Sequence, residues 1–291
     1  MEDDAGAIKG ATPWPALGAE AREQAIIDQR EYVRTAGFER GDPERRIHET
    51  DHFIVAADMS ERDLRRWSAT LETMYETMLE TLELPKETDL YAGKCMVFLF
   101  NSRDSFMKFE RVAMGIDASR FGGLCHQRGN NVILSFYRWG SDTEFQSVLV
   151  HESVHGVMYR YRTPAALPTW ANEGLADYIA GRLTPESQEP REHWTHVKAA
   201  IARGLDPMTI MEQSYRDGSW FTQDSYPTSH MLVRFLIKYK PREFKQWIDL
   251  IKAGEPWEPA MGEAFGIDAD LLAKGFTDEM RSESAYRQPG R

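Results

Sequence analysis

Apolar residues follow two kinds of spacing along the chain, and the switching between them predicts an α+β architecture. Residues 60–84 place Leu64, Trp67, Leu71, Met74, Met78 and Leu82 at three- and four-residue steps, the stripe of a helix with one buried face. Ser60 stands before that stripe as a cap. Residues 94–100 are almost continuously apolar, as a central strand covered on both faces would be. Residues 52–57 form a shorter β-type run, and residues 103–114 return to helical spacing. Runs at 121–127 and 131–136 flank Arg128-Gly129-Asn130 and read as a β-hairpin. Upstream, residues 1–18 with Pro13, Trp14 and Pro15 read as an extended arm, 19–35 as a helix and 37–46 as a polar connection. Beyond residue 184 the pattern is helical: segments 191–202, 207–213, 225–239, 241–253, 256–265 and 268–284 are separated by Gly and Pro. The expected division is an arm and helix over 1–50, an α/β lobe with a small mixed sheet over 51–183, and a helical lobe over 184–291.

Chemistry concentrates between Phe145 and Ile179. His151 and His155 lie four residues apart in His151-Glu152-Ser153-Val154-His155. On a helix both rings project from one face, with Cβ atoms about 5–6 Å apart. Two imidazoles so placed can reach one zinc ion at about 2.0–2.1 Å each. Glu152 points beside the metal, where a general base for an activated water belongs. The same five-letter pattern also occurs at His48-Glu49-Thr50-Asp51-His52. Context separates the copies. Phe145, Val148, Leu149, Val154, Val157 and Met158 recur at helical steps around His151, and Ser141 and Glu144 stand in capping-box spacing before them. Around His48 there is no such period; a polar run with Gly41 and Pro43 leads straight into a β-type run, so that copy reads as coincidence.

A catalytic zinc takes three protein ligands and keeps a fourth position open. Glu173 follows His155 by eighteen residues, on a second helix expected over 169–181, and Pro164 and Pro168 mark the turn between the helices. The chain can therefore double back and present Glu173 to the two histidines. Asp177 is one helical turn further along the same face. A carboxylate there suits the role of accepting a histidine's other N–H, which fixes the ring and raises its basicity. Asn172 could hold the second histidine in the same way. The bland reading, that Asn172-Glu173-Gly174-Leu175-Ala176-Asp177 is the polar side of a surface helix, fits less well so soon after a helical His-Glu-x-x-His.

These two segments resemble the gluzincin arrangement of thermolysin-like and aminopeptidase-like metallopeptidases. The order of elements from about Asp51 onward resembles the bacterial peptidase MA-like domains. The resemblance implies a zincin-like fold, one Zn²⁺ held by His151, His155 and Glu173, Glu152 as base, and supporting roles for Asp177 and Asn172. It also implies that residues 122–126 form an edge strand pairing with extended substrate. His126 in that strand reads as a partly exposed histidine beside a turn. Related domains carry a tyrosine at the start of a late helix, which makes Tyr226 the candidate donor to the developing oxyanion, with His230 as second choice. The expected activity is hydrolysis of peptide bonds in a peptide or protein substrate. Two alternatives use the same residues: a zinc-holding or peptide-binding scaffold without catalysis, and a zinc hydrolase of a non-peptide amide.

Composition narrows this little further. Of 291 residues, 42% are hydrophobic and 28% charged, ordinary for a globular protein with a substantial core. A net charge of −11 argues against a nucleic-acid footprint. No run approaches the roughly eighteen apolar residues of a membrane span. The start, Met1-Glu2-Asp3-Asp4, lacks the basic and apolar regions of a signal peptide, so the expectation is either retention inside the cell or export with a leader already removed. Cys95 and Cys125 are too few for a disulfide framework; each reads as core, with a single bridge the alternative.

Overall fold

The computed structural model of the chain describes residues 11–37, 45–215, 218–219 and 222–287; the first ten residues of the expected arm and most of the polar connection lie outside them. The chain forms two compact units, one of Pro15–Arg160 and one built from the residues after Arg160. Trp14 of the arm joins the second unit, its backbone N–H donating to Arg162 O at 3.0 Å.

In the first unit, helix α1 (Ala19–Thr35) precedes strands β1 (Arg46–Glu49) and β2 (Phe53–Ala57), helix α2 (Glu61–Thr81) and strand β3 (Cys95–Phe100). Helix α3 (Arg103–Phe109), strands β4 (Gly123–Arg128) and β5 (Asn131–Tyr137), and helix α4 (Asp142–Arg160) complete it. The sheet runs β1-β2-β3-β5-β4, with β2, β3 and β5 parallel and the two edge strands antiparallel to their neighbours. Every residue of β2 and β3 is buried, which is why both runs are apolar without alternation. On one face Val33, Ile54, Met96, Phe98, Phe106 and Phe109 belong to a single core cluster. The whole stripe of α2 is buried, and its Trp67 meets Phe145 of α4 edge to face at 4.9 Å. Burial of each such side chain stabilises by about 1.5–3 kcal/mol relative to exposure, before the entropy of ordering is counted.

Three expectations change here. The polar connection gives way at Arg46 to strand β1, which pairs with β2 through Ile47↔Ala56 and His48↔Val55. An edge strand with one exposed face has too weak an apolar signature to stand out from a loop. The helix expected over 103–114 widens after Phe109 into a π-turn, Glu110–Met114, and Gly115 ends it at φ 75°. Glu110 is wholly buried there and accepts hydrogen bonds from Ser135 Oγ (2.5 Å) and His126 Nε2 (3.1 Å). His126 is half-buried in β4 close to the turn, and beyond the expected partial exposure it partners a buried carboxylate. Cys95 and Cys125 are both free.

The second unit is helical: α5 (Thr169–Leu183), α6 (Glu189–Ala202), a single turn α7 (Met208–Met211), α8 (Ser225–Tyr239), α9 (Pro241–Lys252), α10 (Trp257–Phe265) and α11 (Ala269–Ser282). Trp170 of α5 stacks on Trp247 of α9 at 5.4 Å and meets Trp257 of α10 edge-on at 6.0 Å. Helices α5 and α8 pack tightly at Gly174, where an added Cβ would lie 2.6 Å from Ser229 C and 2.8 Å from Val233 Cγ2. A glycine is needed there because the obstruction is backbone.

Candidate metal centre

Helix α4 starts from a reciprocal capping box. Ser141 N–H donates to Glu144 Oε2 at 2.7 Å, and Glu144 N–H donates back to Ser141 Oγ at 3.2 Å. Phe145, Leu149, Val150, Val154 and Val157 are completely buried and fix the rotation of the helix. Gly156 lets it sit close on the sheet, since a Cβ at that position would lie 2.8 Å from Val132 Cγ1 of β5. The opposite side then carries His151 and His155, both half-buried. Their Nε2 atoms are 3.2 Å apart and their ring planes cross at 86°. Two nitrogens bound to one tetrahedral zinc at about 2.0–2.1 Å stand about 3.3–3.4 Å apart, so this pair fits the ion with hardly any movement. Glu152 lies between them in sequence, and its charge reaches Cys125 of β4. Burial pushes the Cys125 thiol well above its ordinary value, and the Glu152 carboxylate adds to the shift. Strand β4 is an edge of the sheet, so its outer main-chain groups have no strand partner within it.

Helix α5 carries Asn172, Glu173 and Asp177, and Glu173 is 4% exposed. A buried carboxylate is costly unless a cation or donors offset the charge. His151, His155 and Glu173 form a group able to hold a metal ion, each offering one ligand atom, with these atoms within 4.8 Å of one another. The donor set, two imidazoles and one carboxylate, suits zinc.

The family model described as collagenase, Peptidase M9, matches residues 29–266. The chain belongs to this family of zinc metallopeptidases. It is accordingly a hydrolase, and its substrates are peptides or proteins. The resemblance to peptidase MA-like domains agrees with the collagenase match at the level of a zinc metallopeptidase. No curated protein matches the chain. Among the described residues the matched span takes in the five strands and helices α2 to α10, and it covers every candidate site residue. Among the described residues no helix is long and apolar enough to cross a membrane.

Within this metallopeptidase, Tyr226 occupies the first turn of α8 and its hydroxyl is 2.9 Å from that of Tyr215. His230, one turn on, is 2% exposed, with its Nδ1 3.0 Å from His193 Nδ1. Asp177 groups with these two histidines, its ligand atom and theirs lying within 4.8 Å of one another. Sequence reasoning never singled out His193. No local motif announces it, because its partners come from two other helices.

Proposed function

We propose that this metallopeptidase cleaves peptide bonds at a single zinc held by His151, His155 and Glu173, in the gluzincin manner, with Glu152 as general base. The observation that carries the reading is the convergence of two imidazole nitrogens 3.2 Å apart with a nearly buried carboxylate. Bound there, zinc supplies a Lewis acid that polarises a scissile carbonyl and lowers the pKa of water from 15.7 toward about 7. Glu152 takes the proton from the attacking water and passes it to the leaving amine. The Tyr226 phenol donates to the developing oxyanion, a role whose removal typically costs about 2.7–4 kcal/mol of barrier. Asp177 and Asn172 hold the histidine rings in the tautomer that leaves Nε2 available. The outer edge of β4 offers main-chain groups to an extended substrate, which would make recognition tolerant of side chains.

The test separates metal binding from chemistry. Glu152→Gln is expected to keep its zinc and lose activity, whereas Glu173→Ala is expected to lose zinc. Zinc content and cleavage of a peptide library and of denatured collagen, with and without chelator, are the measurements. Swapped outcomes for the two variants would overturn the assignment. Zinc bound by a wild-type protein that cleaves none of these substrates would favour the non-catalytic scaffold.

A further inference from the structure

The helical unit contains a second group with metal-ligand chemistry, and the peptidase reading leaves two of its three members without a role. Asp177 on α5, His193 on α6 and His230 on α8 each offer one ligand atom, all within 4.8 Å of one another. We propose that these three residues form a second divalent-metal site, zinc by its chemistry, which clamps α5, α6 and α8 together.

The histidine pair makes the first argument. His193 Nδ1 and His230 Nδ1 are 3.0 Å apart, with ring planes at 83°. Two imidazole nitrogens at that separation repel through their lone pairs unless a proton or a metal cation lies between them. One shared proton engages only the two nitrogens, whereas the Asp177 ligand atom lies within the same 4.8 Å. A divalent cation accounts for all three. The spacing also resembles that of His151 and His155, 3.2 Å, and approaches the roughly 3.3–3.4 Å expected of two nitrogens on tetrahedral zinc.

Surroundings make the second argument. His230 is 2% exposed and the His193 side chain 14%, so the pair is largely shielded from water, where a cation is held more strongly. Histidines that bind metal commonly point their other nitrogen at a carboxylate. The Glu189 carboxylate, one turn earlier on α6, lies near the other nitrogen of His193, with Oε1 4.0 Å from Nε2, beyond hydrogen-bond reach but close enough to favour a cationic site. Two imidazoles with one carboxylate select zinc or another late first-row ion over calcium and magnesium, which prefer oxygen-only sites. Asp177 can serve this ion with one carboxylate oxygen and a ring N–H with the other. The proposal shares only Asp177 with the peptidase reading and uses none of its metal ligands His151, His155 and Glu173, so the two can fail separately.

The experiment counts metal. The full chain is stripped with chelator, reloaded with zinc, desalted and analysed for bound metal by mass spectrometry, with circular dichroism to confirm folding. Wild type is expected to hold two equivalents, Glu173→Ala one, His193→Ala one, and the double variant none. In the Glu173→Ala background, zinc at about a hundred times its dissociation constant should raise Tm by roughly 5–10 °C, and His193→Ala should abolish that rise. His193→Gln, which keeps the side chain's bulk, replaces the alanine variant if the latter does not fold. A wild type with one equivalent that Glu173→Ala loses and His193→Ala keeps would overturn the second site, leaving a hydrogen-bonded chain around a proton. Should the peptidase site be the misassigned one, Glu173→Ala would keep the wild-type metal count while His193→Ala lost one equivalent.

Discussion

Gly174→Ala tests whether the closeness of α5 and α8 is what places Glu173. Gly to Ala inside an exposed helix normally stabilises by up to about 1 kcal/mol, because alanine restricts the unfolded chain. Here the new Cβ would lie 2.6 Å from Ser229 C and closer still to Ser229 O, where ordinary contact begins at 3.4 Å. The obstruction is the backbone of α8, which no rotamer change can move aside. The helices would have to separate by about 1 Å, and overpacking of this kind costs about 1–3 kcal/mol. Subtracting the full propensity gain leaves a net loss of up to about 2 kcal/mol, or a Tm lower by up to roughly 8 °C. Glu173 is the adjacent residue, so its carboxylate shifts with the helix, and zinc coordination tolerates only about 0.2 Å. A displacement approaching 1 Å should weaken zinc binding by about 10–100-fold and slow cleavage by on the order of a hundredfold.

The measurements are calorimetric Tm, zinc affinity by competition with a chromogenic chelator, and initial rates at saturating zinc. Gly262→Ala in α10 is the control, because a Cβ there has nothing within 4 Å. It should stabilise slightly and leave zinc affinity unchanged. If Gly174→Ala matches that control in both Tm and zinc affinity, the close helix approach does not position Glu173 and the reasoning fails.

Other perturbations probe the scaffold around the site. Ser141→Ala removes the acceptor for Glu144 N–H at the head of α4 and should cost about 1 kcal/mol in denaturant unfolding, with faster hydrogen exchange over the first turn. His126→Ala takes one donor from the buried Glu110 carboxylate, and a loss of about 1.5–3 kcal/mol is expected; unchanged stability would mean the pairing with His126 contributes nothing. Lys252 is 2% exposed and donates to Thr163 O at 3.0 Å and Ala165 O at 2.8 Å, while burial pulls its pKa down to about 7. Between that value and the unfolded value of about 10.4, the unfolded chain holds a proton the native chain lacks. Stability from this group therefore rises with pH across that window and is lost as pH falls back to about 7. Lys252→Met should flatten the slope by up to about 1.4 kcal/mol per pH unit, read from urea midpoints at several pH values.

What could be read from the sequence tracks how local the cause is. The α2 stripe, the capped start of α4 and the wholly apolar β3 each announce themselves within a window of one element, because period and capping are short-range properties. Strand β1 hid because only its hydrogen bonds to β2 make it a strand. The π-turn at Glu110 hid because its stabilising partners, Ser135 and His126, arrive from later strands. The need for glycine at position 174 is set by Ser229, 55 positions away, which no window of one element contains. The Asp177, His193 and His230 group could not be read at all, since each residue comes from a different helix.

The two copies of His-Glu-x-x-His show the same point at the level of chemistry. The letters are alike, but the imidazoles meet only where the backbone turns every 3.6 residues. In the first copy, His48 lies in strand β1, while His52 lies at the turn into β2. There its Nδ1 is 2.6 Å from Glu72 Oε2 and its ring stacks on Tyr75 with centroids 3.9 Å apart. Four residues of extended chain span about 13 Å, against the 5–6 Å of a helical pair. That copy spends its second histidine on a carboxylate and an aromatic face within the fold. The copy on α4 brings two nitrogens to 3.2 Å because Phe145, Val154 and Gly156 hold the other side of the helix against its own unit. The motif is thus a statement about helix geometry before it is one about zinc, and the apolar residues between and around its letters decide whether it means anything.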